Sequence, residues 1–82
     1  MKHYYTIEQF NGVIVADALT KKDAIRTARE RALDFRQSLT IHKVDKETRK
    51  ILEYVGIAEF PVWMRNFDRE KLDIHDTTFV GI

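Results

Sequence analysis

The first forty residues show two successive patterns of hydrophobic side chains. In the first, hydrophobic positions recur every two residues, and in the second they recur every 3.6 residues. Residues 3–10 and 13–19 are rich in aromatic and β-branched side chains, and Asn11-Gly12 separates them. Asn-Gly between two such runs is the strongest short-range hairpin signal, because a type I′ turn needs positive φ at both central residues. The pattern therefore predicts a β-hairpin over residues 3–19 with a two-residue turn.

A two-residue turn also decides which side chains share a face of this hairpin. It places Thr6 opposite Asp17 and Ile7 opposite Ala16, and side chains opposite each other point to the same side. The face expected to lie under a helix consists of Ile7, Ile14, Ala16 and Ala18. The other face carries Tyr4, Phe10, Val13, Val15 and Leu19. This second face is too apolar to be simply solvated.

Residues 20–37 show the 3.6-residue period of an amphipathic helix. Thr20 and Asp23 form a variant of the capping box, in which the threonine hydroxyl accepts a hydrogen bond from the first turn. The stripe predicted to face the core consists of Ala24, Ile25, Ala28, Ala32 and Phe35. One flank carries four cations with a leucine among them, namely Lys22, Arg26, Arg29, Leu33 and Arg36.

The rest of the chain predicts a second hairpin and an irregular extension. Residues 38–57 contain two apolar runs around a charged turn near residues 45–48, and the longer loop leaves the register open. Residues 58–82 form the extension, which holds an aromatic cluster, a helical turn at 68–72 capped by its first residue, Asp68, and a closing strand at 77–82.

These elements predict a single α+β domain over residues 1–82. Residues 1–57 form a ββαββ unit, an antiparallel sheet of four to five strands with one amphipathic helix on one face. Residues 58–82 form an aromatic-rich C-terminal extension with a short helix and the closing strand.

Composition limits the classes of function that the chain can have. The 82 residues include 14 basic and 13 acidic ones, so the basic excess typical of dedicated nucleic-acid binders is missing. A domain of this size can build one core, but a deep ligand cavity would remove packing that it needs. The absence of cysteine excludes disulfides, thiolate zinc sites and cysteine nucleophiles. Without a long apolar run or a signal-peptide core, we expect a cytoplasmic protein that does not enter a membrane.

The sequence contains little that indicates catalytic or metal-binding residues. His3, His42 and His75 are scattered, whereas metal ligands need a spacing that brings them together. Ser38 is the only serine and does not lie in a nucleophile turn. We therefore expect no catalytic residues, no metal site and no cofactor. A small hydrolase or transferase using His75 and Asp76 is the least favoured alternative.

The aromatic cluster around the only proline is the leading candidate binding site. Its candidate residues are Trp63, Met64, Arg65 and Phe67. Trp and Arg are enriched in binding hot spots. The competing interpretation has Phe60, Trp63 and Phe67 cover the sheet face that carries Phe10, Val13 and Val15. So small a domain needs that apolar area for its core, which favours the structural role. Both roles can coexist where the cover is partial.

The sequence thus predicts a non-enzymatic protein that binds another protein. The hairpin–helix–hairpin order is common among small bacterial and phage proteins, and we expect an accessory or regulatory factor of that origin. The alternative is a nucleic-acid-binding module that uses the cationic flank of the helix, Lys22, Arg26, Arg29 and Arg36. The closing strand has few charges to discourage edge pairing, so we also expect a homodimer through a sheet edge, or a partner bound there.

Overall fold

A computed structural model describes residues 2–82 and shows a five-stranded antiparallel sheet with one helix. The strands are β1 (His3–Glu8), β2 (Ile14–Ala18), β3 (Leu39–Asp45), β4 (Ile51–Glu59) and β5 (Thr78–Gly81). The helix α1 (Lys21–Phe35) connects β2 to β3. Three short 3-10 helices, Val62–Met64, Arg69–Lys71 and Ile74–Asp76, connect β4 to β5. The predicted α+β fold, with ββαββ order and a closing strand, is confirmed.

The strands lie in the order β2-β1-β3-β4-β5, and all neighbours are antiparallel. The helix and the segment of residues 60–77 pack on one side of this sheet, which we call the covered face. Its strand residues include Tyr5, Ile7, Leu39, Ile41, Ala58 and Phe79. The opposite side is the open face. Strand pairing places there Tyr4, Thr6, Glu8, Ile14, Thr40, His42, Val44, Ile51, Tyr54, Ile57 and Val80.

The turn of the first hairpin differs from the predicted one. The main-chain N–H of Gln9 donates to the carbonyl of Val13, and that of Gly12 donates to Gln9, both at 2.9 Å. The loop therefore has three residues, and within it only Gly12 has a positive φ, of 89°. The prediction of a two-residue type I′ turn is wrong, because Asn11 does not adopt the left-handed conformation that this turn requires.

A β-bulge next to the turn restores the predicted register. Glu8 pairs with Ile14 and Ile7 pairs with Ala16, so Val15 is the extra residue on β2. Because of the bulge, Val15 packs against the core, whereas Ile14 lies on the open face and is 58% exposed. The pairing of Ile7 with Ala16 is confirmed. The expectations that Ile14 faces the helix and that Val15 faces away from it are wrong.

The helix begins at the predicted cap, and its buried stripe is rotated from the predicted one. The hydroxyl of Thr20 accepts from the N–H of Asp23 at 3.2 Å. The buried helix residues are Ala24, Ala28, Ala32 and Leu33. Leu33 is buried because residues 60–77 pack against its flank, and Phe35 is 39% exposed instead. Among the described residues, no helix is long and apolar enough to cross a membrane.

The second hairpin closes at the charged turn that the sequence predicts. The carboxylate of Asp45 accepts from the main-chain N–H groups of Glu47 and Thr48, at 2.8 and 3.0 Å. These hydrogen bonds, the one from Thr48 above all, hold the pKa of Asp45 below its ordinary value. Two register shifts in the pairing of β3 with β4 lie near Ile41 and Lys43, and such bulges increase the twist of a sheet.

The C-terminal segment completes the core from the side of the helix. Phe60, Met64 and Leu72 are buried with the helix alanines in one cluster. The N–H of Phe60 donates to the hydroxyl of Ser38 at 2.9 Å, which joins the end of β4 to the start of β3. Trp63 remains 72% exposed. The interpretation that Trp63 covers the apolar sheet face of the first hairpin is therefore wrong, because the segment packs on the other side of the sheet.

Candidate interaction surface

The four residues of the predicted binding site separate into a buried one and three exposed ones. Met64 is only 7% exposed and points into the core. Trp63 and Phe67 are 72% and 42% exposed, and their rings meet edge to face with centroids 5.9 Å apart. Arg65 is also exposed. The structure thus brings Trp63 and Phe67 together as an aromatic pair and removes Met64 from the surface.

The loop that carries the aromatic pair is held by Arg36 at the end of the helix. Arg36 adopts the left-handed conformation, with φ 55°, and caps the helix through its main-chain N–H. Its Nη1 donates to the carbonyls of Arg65 and Phe67, at 2.7 and 2.6 Å. Hydrogen bonds from a charged donor are shorter and stronger than neutral ones. The aromatic pair therefore sits on an ordered loop rather than on a free arm.

The predicted cationic flank of the helix is not one continuous surface. The guanidinium of Arg29 donates to the hydroxyl of Thr77 and to the carbonyls of Ile74 and Thr77, each at 3.0 Å. Arg29 and Arg36 thus hold the C-terminal segment against the helix. Lys22 and Arg26 are exposed, and Arg26 lies 3.5 Å from Glu30. Of the four cations, Arg29 and Arg36 therefore anchor the C-terminal segment, and Lys22 and Arg26 face solvent.

Four of the exposed aromatic side chains lie at one end of the sheet. Glu8, at the end of β1, pairs with Thr40, and Ala58, near the end of β4, pairs with Leu39. The loop of the first hairpin, the end of the helix and the start of the C-terminal segment therefore lie at the same end. This aromatic end presents Phe10, Phe35, Trp63 and Phe67. The sequence shows each of these residues, but only the strand register reveals that they share an end.

A small polar cluster lies at the centre of the open face. The Nδ1 of His42 is 3.0 Å from Oε2 of Glu8, and the hydroxyl of Thr6 donates to the same oxygen at 2.9 Å. The contact between His42 and Glu8 is close but poorly aligned, so Nδ1 of His42 lacks a hydrogen-bond partner among residues 2–82. The ring of Tyr54 lies beside it, with centroids 5.6 Å apart.

The carboxylate of Asp76, next to His75 in the sequence, has a structural role. Asp76 accepts from the main-chain N–H of Asp73 at 2.8 Å, and Asp73 in turn accepts from Ile74 at 2.7 Å. The carboxylate of Asp76 is thus part of a capping box, and His75 is exposed beside it. Within residues 2–82, no group of three or more His, Asp or Glu side chains is placed to hold a metal ion.

The fold and the surface define a small α+β domain whose sheet is covered on one face and which presents an ordered aromatic pair at one end. Comparison with models of known protein families finds none that matches this chain. Comparisons with curated proteins and with solved structures also find no match. The surface itself therefore supplies the argument for function.

Proposed function

We propose that this chain is a protein-binding module and that its partner docks on the aromatic pair of Trp63 and Phe67. The observation that carries the proposal is the exposure of Trp63, which remains 72% although its ring contacts Phe67 edge to face. Covering an exposed tryptophan with a partner removes apolar surface from water and so favours binding. Trp is also enriched in binding hot spots.

The loop adds preorganisation to this apolar area. Binding normally costs about 0.5–1.5 kcal/mol for each flexible side chain that becomes ordered. Arg36 already fixes the main chain on both sides of Asn66 through the carbonyls of Arg65 and Phe67. The partner therefore meets a surface whose geometry is set before contact, and more of the apolar burial contributes to affinity.

Arg65 gives the proposed surface a charged rim. Its carbonyl is held by Arg36, while its side chain is exposed, and in the sequence it lies between Trp63 and Phe67. A guanidinium at the edge of an apolar surface selects a partner that offers a carboxylate there. We infer an apolar partner surface with an acidic group at its margin, on a protein that this chain serves as an accessory or regulatory factor.

Binding rather than catalysis is the function that the named side chains support. The carboxylate of Asp76 is engaged by the main chain of Asp73, so it is not presented to His75 as an orienting group. The nucleic-acid alternative has weaker support, because Arg29 and Arg36 are engaged by the C-terminal segment. Lys22 and Arg26 alone would make few phosphate contacts.

The test compares three immobilised forms of the full chain in an extract of the source cells. These are the wild type, Trp63→Ala, and Leu19→Ala as a matched control. Leu19 is 71% exposed, like Trp63, and lies at the other end of the sheet, where β2 leads into the helix. We expect one protein to be retained by the wild type and the control, and lost by Trp63→Ala. With that protein purified, Trp63→Ala should weaken binding about 30-fold, the equivalent of about 2 kcal/mol.

A second variant separates binding from folding. Arg65→Ala should weaken binding of the same purified protein while leaving the melting temperature unchanged, because only the main chain of Arg65 is used in the fold. Equal retention by Trp63→Ala and the wild type would contradict the proposal. Nucleic acid retained with a steep salt dependence, and lost when Lys22 and Arg26 are changed to Glu, would replace it with the alternative.

A further inference from the structure

The two edges of the sheet differ in how well they are protected against pairing with another strand. At one edge, β2 contains the bulge at Val15 and a charged residue, Asp17. Bulges and charges are features that natural sheets use to discourage edge-to-edge pairing. At the other edge, β5 pairs with β4 over four residues without a register shift, and residues 77–82 contain no charged side chain. The edge at β5 therefore lacks both kinds of protection.

The main chain of β5 presents free hydrogen-bonding groups at two positions. The N–H of Ile82 donates to the carbonyl of Val55 on β4 at 3.4 Å. Hydrogen-bonded and non-hydrogen-bonded pairs alternate along an antiparallel ladder. Ile82 and Val80 therefore direct their N–H and C=O groups toward β4, and Phe79 and Gly81 direct theirs outward. Within residues 2–82, no loop main-chain hydrogen bond uses Phe79 or Gly81.

We propose that β5 is a dimerisation edge, on which the β5 strand of a second copy of this chain pairs antiparallel about a two-fold axis at Val80. In this register, Phe79 of each copy lies opposite Gly81 of the partner subunit. These two pairs exchange four main-chain hydrogen bonds, because both residues direct their groups outward. The two Val80 residues then form a non-hydrogen-bonded pair with Cα atoms about 4.5 Å apart.

A second copy suits this edge because the strand is complementary to itself. Val80 and Ile82 are 47% and 91% exposed, and the pairing covers part of both. The ring of each Phe79 lies over Gly56 and Gly81 of its own chain, 2.7 and 3.0 Å from where a Cβ would stand on each, so it leans toward β4 and leaves the outer side of β5 open. The chain carries a formal net charge of +1, so two copies repel each other little. The paired segment is short, and the dimer therefore belongs to the class of small interfaces below about 1,200 Å², which are weak.

Cross-linking at the two-fold axis tests the register directly. The full chain contains no cysteine, so Val80→Cys introduces a single thiol. Cα atoms about 4.5 Å apart lie within the range that a disulfide spans. The matched control is Ile14→Cys, which lies on the open face of the other edge strand and is 58% exposed. We expect Val80→Cys to form the covalent dimer at least about tenfold faster than the control under mild oxidation. Equal rates would overturn the proposal.

Charge exchange provides the second test and does not depend on oxidation. Val80→Lys and Val80→Glu should each sediment as monomers at concentrations where the wild type dimerises, because like charges face each other across the axis. A one-to-one mixture should form the dimer again, and Ile14→Lys should dimerise like the wild type. Circular dichroism of each variant confirms that the fold is kept. A wild type that stays monomeric at high concentration, or a mixture that does not associate, would refute the proposal.

Discussion

The covered face and the open face belong to the same five strands, yet they differ in how completely they are shielded from water. On the covered face, Ile7, Leu39 and Ile41 are 0% exposed beneath the helix and the C-terminal segment. On the open face, Ile14 and Ile51 are both 58% exposed. An antiparallel sheet can keep one solvated face in this way. One face therefore supplies most of the core, whereas the other combines buried residues on its central strands, such as Thr6 and Val44, with exposed ones nearer its edges.

The same contrast appears in the polar groups that each face contains. Beside the covered face, Arg29 donates to three acceptors on Thr77 and Ile74, and Thr77 is 2% exposed. On the open face, one oxygen of Glu8 serves both Thr6 and the poorly aligned His42. Buried polar groups are costly without partners. Arg29 thus makes three hydrogen bonds beside the covered face, whereas Nδ1 of His42 on the open face is buried and makes none among residues 2–82.

The largest difference is expected between two isoleucines that lie on opposite faces. Ile41→Ala should lower the free energy of unfolding by about 3–4 kcal/mol, because it leaves a cavity in the core. Ile51→Ala, on the open face, should cost less than about 1 kcal/mol, since that side chain is 58% exposed. Urea denaturation followed by tryptophan fluorescence and circular dichroism measures both values.

A milder substitution keeps this comparison measurable if Ile41→Ala does not fold. Ile41→Val removes one methylene and should cost about 1 kcal/mol. A cost for Ile51→Ala that equals or exceeds the cost for Ile41→Ala would contradict the assignment of the two faces. It would mean that the open face is buried in solution, for example against another molecule.

A smaller effect is expected at the guanidinium that anchors the C-terminal segment. Arg29→Met keeps the aliphatic stem but leaves the buried Thr77 without its donor, and should cost about 2 kcal/mol. The matched control on the same flank is Arg26→Met. Arg26 meets only Glu30, at 3.5 Å between side chains that are 76% and 54% exposed, and the change should cost less than about 0.5 kcal/mol.

Amide hydrogen exchange locates the effect of Arg29→Met. Exchange should become faster in residues 74–77 before the rest of the sheet is affected, because the anchor holds this segment locally. Equal stabilities of the Arg29 and Arg26 variants would show that the C-terminal segment does not depend on the anchor. The cationic flank would then regain support as a surface for nucleic acid.

Most of the fold could be predicted from the sequence, because it depends on local signals. Periodicity and the cap at Thr20 give the helix, and alternation gives the strands. The turn at Asn11-Gly12 could not be predicted in detail. Asn-Gly is compatible with a type I′ turn and with a three-residue loop that has glycine in the left-handed conformation. The bulge at Val15 compensates for the longer loop, and no local signal in the sequence marks it.

The candidate site could be predicted less well, because it depends on where residues 58–82 pack. Leu33 looked like a member of a cationic flank, and it is buried because this segment covers that flank. Arg29 and Arg36 looked like free cations for the same reason. The sequence does indicate that apolar residues of the extension need a place in the core. It does not indicate on which side of the sheet they find it, since both faces offer apolar side chains.

The smallest effect is expected in the polar cluster of the open face. Glu8→Gln keeps the shape of the side chain, and its amide oxygen can still accept from Thr6. The charge beside His42 is lost, but Nδ1 of His42 makes no hydrogen bond to Glu8, so the change should cost less than about 1 kcal/mol. The side chains of Glu8 and His42 are 14% and 20% exposed, although Nδ1 of His42 itself is buried. Glu59→Gln, an exposed carboxylate at the end of β4, is the control and should be neutral.

Urea denaturation at neutral pH measures both glutamate variants. A cost for Glu8→Gln of about 2 kcal/mol or more would match the cost expected for Arg29→Met, and it would break the contrast between the two faces. So large a cost requires that the exposed parts of Glu8 and His42 also be out of contact with water, because water then cannot compensate for the lost charge. Measuring the cost at several protein concentrations then distinguishes two reasons why water is excluded from these side chains. A cost that falls as the protein is diluted comes from a second copy lying over the open face, and a cost independent of concentration comes from the fold itself.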